Sequence, residues 1–173
     1  CILLAALTAA SAPSAMITFS NLSVITIPAA GTSGVASPYP SNILVTGVFG
    51  LVTDVDVTLF SMNHTFSGGI DILLVGPGGQ RLLLISDAGG GGDLVSHTYR
   101  FDDAAASTLV DGSVSVSGRY RPSNFGTGDT FPAPAPPGPY ADPQLLSVCN
   151  GFDPNGTWSL YVFDDAGGDV GDI

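Results

Sequence analysis

An all-β sandwich is the fold class this sequence predicts, and composition, apolar patterning and turn signals point to it together. All 15 acidic residues are Asp and all four basic residues are Arg, so the strong helix formers Glu and Lys are absent. Gly (23) and Pro (13) are abundant, and with Asp, Asn and Ser they favour turns over long elements. The apolar residues are rich in Val, Ile, Leu and aromatics, which suit a pleated, half-buried surface. At 173 residues the chain has room for one ordinary domain.

Taken in order, apolar alternation predicts a strand over 24–27, stopped by Pro28, and another over 43–46 after a loop containing Pro38, Tyr39 and Pro40. In 54–59, Val55, Val57 and Leu59 share one face while Asp54, Asp56 and Thr58 share the other, the signature of a half-buried strand. The runs 70–75 and 81–85 are joined by Gly76-Pro77-Gly78-Gly79, which reads as a mostly buried β-hairpin. Further strands are expected at 97–101, 145–148 and 157–163, the last with Trp158, Leu160 and Val162 pointing inward. The stretch 120–143 is dense in proline, and each proline removes an N–H donor and fixes its φ. It reads as an ordered surface loop or a disordered excursion, and its aromatics favour packing against the sandwich. A short echo places Asp-Ala-Gly-Gly after two apolar runs, at 87–90 and 165–168, too brief for a repeat architecture.

The formal charge of −11 without a basic patch excludes nucleic acid as a partner, because that binding needs Lys and Arg to neutralise phosphates. The apolar run 2–10 is shorter than the ~20 residues that span a bilayer, so no membrane span is expected. It leads into the small residues of 11–15 without a charged start, and residues 1–16 read equally as a signal-peptide remnant or an interdomain linker, leaving 17–173 as the domain. Cys1 and Cys149 cannot build a disulfide framework; Cys149 reads as a small buried apolar residue.

Several segments, in this order, carry a family resemblance: Pro38-Tyr39-Pro40-Ser41, His64-Thr65-Phe66, the run Asp71 to Gly79, Ser86 to Gly90, Tyr120-Arg121-Pro122, Asp153 to Trp158 and Asp164 to Asp169. Together they resemble the bacterial P/Homo B domain that accompanies subtilisin-like proprotein convertases, over 17–173. The resemblance implies a jelly-roll β-sandwich of the galactose-binding-like kind in a secreted or cell-surface protein. It implies an accessory role, supporting an adjacent subtilisin-like serine endopeptidase domain of the same polypeptide, with no peptide cleavage of its own. This sequence has Ser67-Gly68-Gly69 where the family often carries an acidic pair. It also stops at Ile173, before a further Trp-containing strand that family members usually have. The resemblance therefore implies a C-terminally truncated domain lacking its last strand, with an unpaired sheet edge and marginal stability.

Catalysis needs a nucleophile, a base and an orienting acid together, and neither His64 nor His97 lies in a catalytic-looking context. Gly31-Thr32-Ser33-Gly34 superficially resembles the subtilisin serine motif but lacks its following Met, so no catalytic residue is assigned. His64 reads as a strand-end residue that hydrogen-bonds nearby backbone, and His97 as a strand residue. Calcium takes hard oxygen ligands from flexible acidic loops, and Asp71, Asp87, Asp102, Asp164 and Asp165 are the candidate ligands. The competing reading has these Asp residues capping turns, with Arg81, Arg100, Arg119 or Arg121 pairing some of them. Sequons at Asn21, Asn63 and Asn155 matter only where the source glycosylates. Besides the accessory role, two readings stay open. One is an independent module binding carbohydrate or protein, favoured if Tyr39, Phe125, Phe131 and Tyr140 are exposed. The other is a fragment of an active endopeptidase whose catalytic domain lies outside this chain.

Overall fold

Short alternating runs can bury only one face, whereas uninterrupted apolar runs demand cover on both, and the chain supplies both kinds. The structure, a computed structural model, describes residues 2–5 and 16–173. Its strands are β1 (Ile2–Ala5), β2 (Thr18–Asn21), β3 (Thr26–Ile27), β4 (Gly34–Val35), β5 (Ser41–Val45), β6 (Asp56–His64), β7 (Ile70–Val75), β8 (Arg81–Ser86), β9 (Leu94–Phe101), β10 (Gly118–Tyr120), β11 (Ser123–Asn124), β12 (Gly156–Asp164) and β13 (Gly171–Asp172). A seven-stranded sheet runs β10-β9-β6-β1-β2, with β13 bridging β6 and β3. A six-stranded sheet runs β11-β8-β7-β12-β4, with β5 also on β12. Both are mixed, since β10 joins β9 and β11 joins β8 in parallel.

The two sheets face each other across one core. Leu59, Met62 and Phe101 from the first meet Ile72, Leu82 and Trp158 from the second. The predicted inward set Trp158, Leu160 and Val162 is buried, and the indole Nε1 donates to the Pro154 carbonyl at 3.0 Å. The predicted hairpin is β7–β8, closed by Gly76 N–H donating to Gln80 O at 2.8 Å. Part of the segment read as a remnant or linker, residues 2–5, lies between β6 and β2; Cys1 and residues 6–15 lie outside the described residues. At the other end Ile25 and Ile173 exchange backbone hydrogen bonds at 2.9 Å each way, and the Ile173 side chain is buried.

The proline-dense stretch is an ordered outer layer. Leu73 of β7, Leu83 of β8 and Tyr161 of β12 point away from the main core and are covered by Phe131 and Ala135. Tyr39 stands edge-on to Tyr161 at 5.1 Å, and Phe131 edge-on to Tyr140 at 5.7 Å. The sheet is thus buried on both faces, which is why β7 and β8 read as continuous apolar runs. A cover lying on apolar surface has nowhere to satisfy backbone donors, and proline has none. Its carbonyls instead accept from the rim: Tyr39 Oη to Pro132 O at 2.9 Å and Arg81 to Pro137 O at 2.6 Å.

The strand expected at 145–148 is not one. Leu146–Cys149 forms a single 3₁₀ turn, with Leu146 and Cys149 buried at its i, i+3 positions. Its first N–H groups, of Leu146 and Ser147, donate to the Asp103 carboxylate at 2.9 and 2.8 Å. Cys149 is the expected free, buried thiol, and burial pushes its pKa up to about 12. If the outer layer is structural, Phe131→Ala lowers unfolding free energy by about 3 kcal/mol, read from denaturant midpoints; a change near zero would place Phe131 outside any core.

Candidate functional site

The turn at Ser67–Gly69 precedes β7, and the two Asp-Ala-Gly-Gly loops close on either side of it. Gly68 N–H donates to Gly90 O at 2.9 Å, and Asp165 N–H to Gly69 O at 3.1 Å. A Cβ on Gly68 would meet Gly90 O at 3.0 Å, and one on Gly69 would meet the Ala166 Cβ at 2.7 Å. The Gly-Gly pair is therefore what lets the echoed loops approach.

β7 then runs between β8 and β12, whose ends carry those loops, and Asp71 is its polar position on the outer face, paired in register with Phe163. Asp71 is 3% exposed and its Oδ1 has no hydrogen-bond partner. Burial raises its carboxyl to about 7; the Ser86 hydroxyl relieves this in part, and the fields of Asp165, Asp129 and Asp87 add to it. Asp87, in the left-handed region at φ 55°, is raised by burial and then by Asp129 and Asp165. Asp129 accepts the Ser86 hydroxyl at 2.9 Å. Asp71, Asp87 and Asp165 of the expected set are thus brought into one acidic neighbourhood, together with Asp129, which sequence reasoning did not single out.

Asp164 goes elsewhere. It points between the sheets, where its Oδ2 lies 3.4 Å from His64 Nε2, both side chains fully buried and too poorly aligned for a hydrogen bond. Its Oδ1 accepts from Ala166 N–H at 3.2 Å; burial raises this carboxyl despite the opposing influence of His64. His64 Nδ1 lies 2.9 Å from Phe66 O and 3.3 Å from Phe66 N, the local backbone contact expected of it.

Asp102 sits on the other sheet within a carboxylate–guanidinium ladder. Arg119 Nε donates to it at 2.6 Å, and Arg100 donates to Asp56 at 2.6 Å. Burial raises the Asp102 carboxyl, but the Ala104 N–H, Asp56 and Arg119 outweigh it and hold it below the ordinary value. For Asp56 burial wins over Arg100, raising it to about 6. Among the described residues no three His, Cys or Asp side chains come close enough to hold a metal ion. Calcium takes roughly 6–8 oxygen ligands, and the carboxylates of this neighbourhood are not gathered into such a shell in the structure. Turn capping accounts for Asp102 and Asp164, which accept backbone N–H groups two residues on.

Neither imidazole hydrogen-bonds a hydroxyl or thiol side chain among the described residues: His64 is enclosed, and His97 Nδ1 accepts from Val95 N–H at 3.1 Å. Ser33 lies in an exposed loop. Of the four aromatics proposed for ligand stacking, Phe131 is buried and Tyr39 packs on Tyr161, while Phe125 and Tyr140 are half-buried.

The raised carboxyl of Asp71 fixes a sign. A carboxyl with a higher pKa in the folded than in the unfolded state holds its proton more tightly when folded, so stability falls as pH rises from about 4 to 7. Asp56, raised to about 6, acts in the same direction. The melting midpoint is expected to be higher at pH 5.5 than at pH 8, by about 3 °C or more. Asp71→Asn is expected to remove much of that difference, and chelator to leave the midpoint unchanged. A calcium-dependent midpoint abolished by Asp71→Asn would show that these carboxylates rearrange into a metal shell. Compared with protein-family models, curated proteins and solved structures, the chain matches none, and the P/Homo B resemblance stands on the motifs alone.

Proposed function

We propose that this chain is a non-catalytic accessory β-sandwich module, of the jelly-roll, galactose-binding-like type, belonging to a secreted or cell-surface bacterial protein. In this reading it resembles the convertase P domain, and it works by docking against an adjacent domain of the same polypeptide. A subtilisin-like serine endopeptidase domain is the neighbour that the motif resemblance favours.

The observation that supports docking is a set of exposed apolar side chains on loops of the uncharged N-terminal stretch. No charged side chain precedes Asp54, and this half-hidden stretch exposes Leu22, Val24, Leu44, Phe49 and Leu51, with Phe49 at 92%. Phe152 adds a second exposed aromatic from a loop tied to the first. Val52 N–H donates to Phe152 O at 2.9 Å, and Gly151 N–H to Val52 O at 2.8 Å. The Asn155 side chain accepts from Val48 N–H at 3.0 Å and donates to Val48 O at 2.7 Å. Exposed aromatics on pre-ordered loops lose little entropy on association and suit the centre of an interface. The proline-dense layer, by contrast, is already spent on the molecule's own sheet.

Hydroxyl-radical labelling of Phe49 and Phe152 tests this reading in the complete secreted polypeptide against the isolated chain. Several-fold protection of both rings in the complete polypeptide is the expected outcome, and equal labelling contradicts it. Phe49→Ser is expected to abolish the protection at Phe152 while shifting the melting midpoint by no more than about 2 °C, as for other surface changes.

A further inference from the structure

Away from the exposed apolar loops, the segments 121–129 and 138–145 enclose a groove of about 810 Å³, within the roughly 300–1,000 Å³ range of small-ligand sites. Its chemistry is set by which polar groups are already engaged. Four main-chain donors of its lining are committed: Leu83 N–H to the Gln144 side chain at 2.7 Å, Ala141 N–H to Arg81 O at 3.0 Å, Arg121 N–H to Ser107 O at 2.8 Å, and Phe125 N–H to Ser86 O at 3.1 Å. Pro122, Pro139 and Pro143 of the same lining have no N–H to offer.

Side chains are the reverse. Among the described residues, those of Arg121, Asn124, Thr127 and Asp142 have no hydrogen-bond partner, although all four line the groove. Arg121 stands apart from the other cations. Arg100 and Arg119 are paired with carboxylates, and Arg81 donates to a proline carbonyl. Half-buried Phe125 and Tyr140 supply apolar edges in the same lining, and Tyr140 is held by its edge-on contact with Phe131 at 5.7 Å.

We infer that this groove binds a saccharide, with the Arg121 guanidinium taking vicinal hydroxyls or a ring carboxylate. Asn124, Thr127 and Asp142 meet the remaining hydroxyls as donors and acceptors. Free side-chain donors and acceptors beside aromatic edges match a ligand with hydroxyls around an apolar ring. A phosphate-rich polymer is disfavoured, because Asp129 and Asp142 line the same groove and the chain carries −11 overall. The assignment is independent of the docking face.

The test is titration calorimetry of the full chain against neutral and uronic-acid-bearing di- to hexasaccharides, with a panel of unstructured peptides alongside. Binding of at least one saccharide is expected. Arg121→Ala should weaken it tenfold or more at an unchanged melting temperature, and Arg121→Lys should restore it only in part, because an ammonium cannot make the bidentate contact. A tenfold preference for uronic acids identifies the carboxylate as the group read; equal affinity identifies the hydroxyls. Phe49→Ser should leave saccharide binding intact, which separates this site from the docking surface. Absence of saccharide binding at millimolar concentration, binding insensitive to Arg121→Ala, or binding of peptides alone overturns the inference.

Discussion

The structure turns on a sheet that is buried on both faces. β7 has neighbours on each side and apolar residues pointing both ways, so Leu73 and its partners Leu83 and Tyr161 need a cover that the opposing sheet cannot provide. The cover must lie flat on apolar side chains without stranding N–H groups, which is the physical use of so many prolines in one stretch. Folding back this way, the segment also brings Asp129 over Asp71 and forms one wall of the groove beside Arg121. One packing requirement thus links the outer core, the acidic neighbourhood and the candidate ligand site.

Charge is segregated around that arrangement. The uncharged N-terminal stretch supplies the exposed apolar loops, whereas the acids gather at strand ends. On one sheet, Asp56 and Asp102 are answered by Arg100 and Arg119. On the other, Asp71 has no cation as a hydrogen-bond or ion-pair partner among the described residues, and it meets its desolvation by favouring the protonated form. Three features result: exposed apolar loops suited to docking, a proton-holding acidic corner, and a groove lined by unpartnered polar side chains.

Much of the fold was legible because period-two patterning survives in the sequence. The strand beginning near Asp56, the β7–β8 hairpin and the inward face of β12 follow from it directly, although Asp56 and Thr58, expected on an open face, are buried too, and the aromatics of the proline-dense stretch favoured the packing found. The strands that escaped notice are short, such as β4, β11 and β13, and arise from pairing rather than from local preference. The 3₁₀ turn over Leu146–Cys149 imitates a strand because four apolar or small residues fit either conformation. His64 shows a different limit. Val57 and Leu59 set an odd-numbered inward face, but Ser61 takes φ 53° where the β6–β9 register shifts. The phase changes there, so Met62 and His64 turn inward. No periodicity count across that bulge could have brought His64 to Asp164. Asp71, Asp87 and Asp165 were chosen as acidic loop residues, and the echoed loops are what bring them together; Asp102 had the same local appearance, and only pairing between β9 and β10 placed Arg119 against it.

The account's central claim is that residues 125–143 form a fixed structural layer, since both the acidic corner and the groove depend on it. Backbone ¹⁵N relaxation across this segment is the most direct measurement, using the non-proline amides. Order parameters near ~0.85, matching those of β7 and β12, are the predicted result; values below ~0.6 would describe a mobile linker and contradict the account.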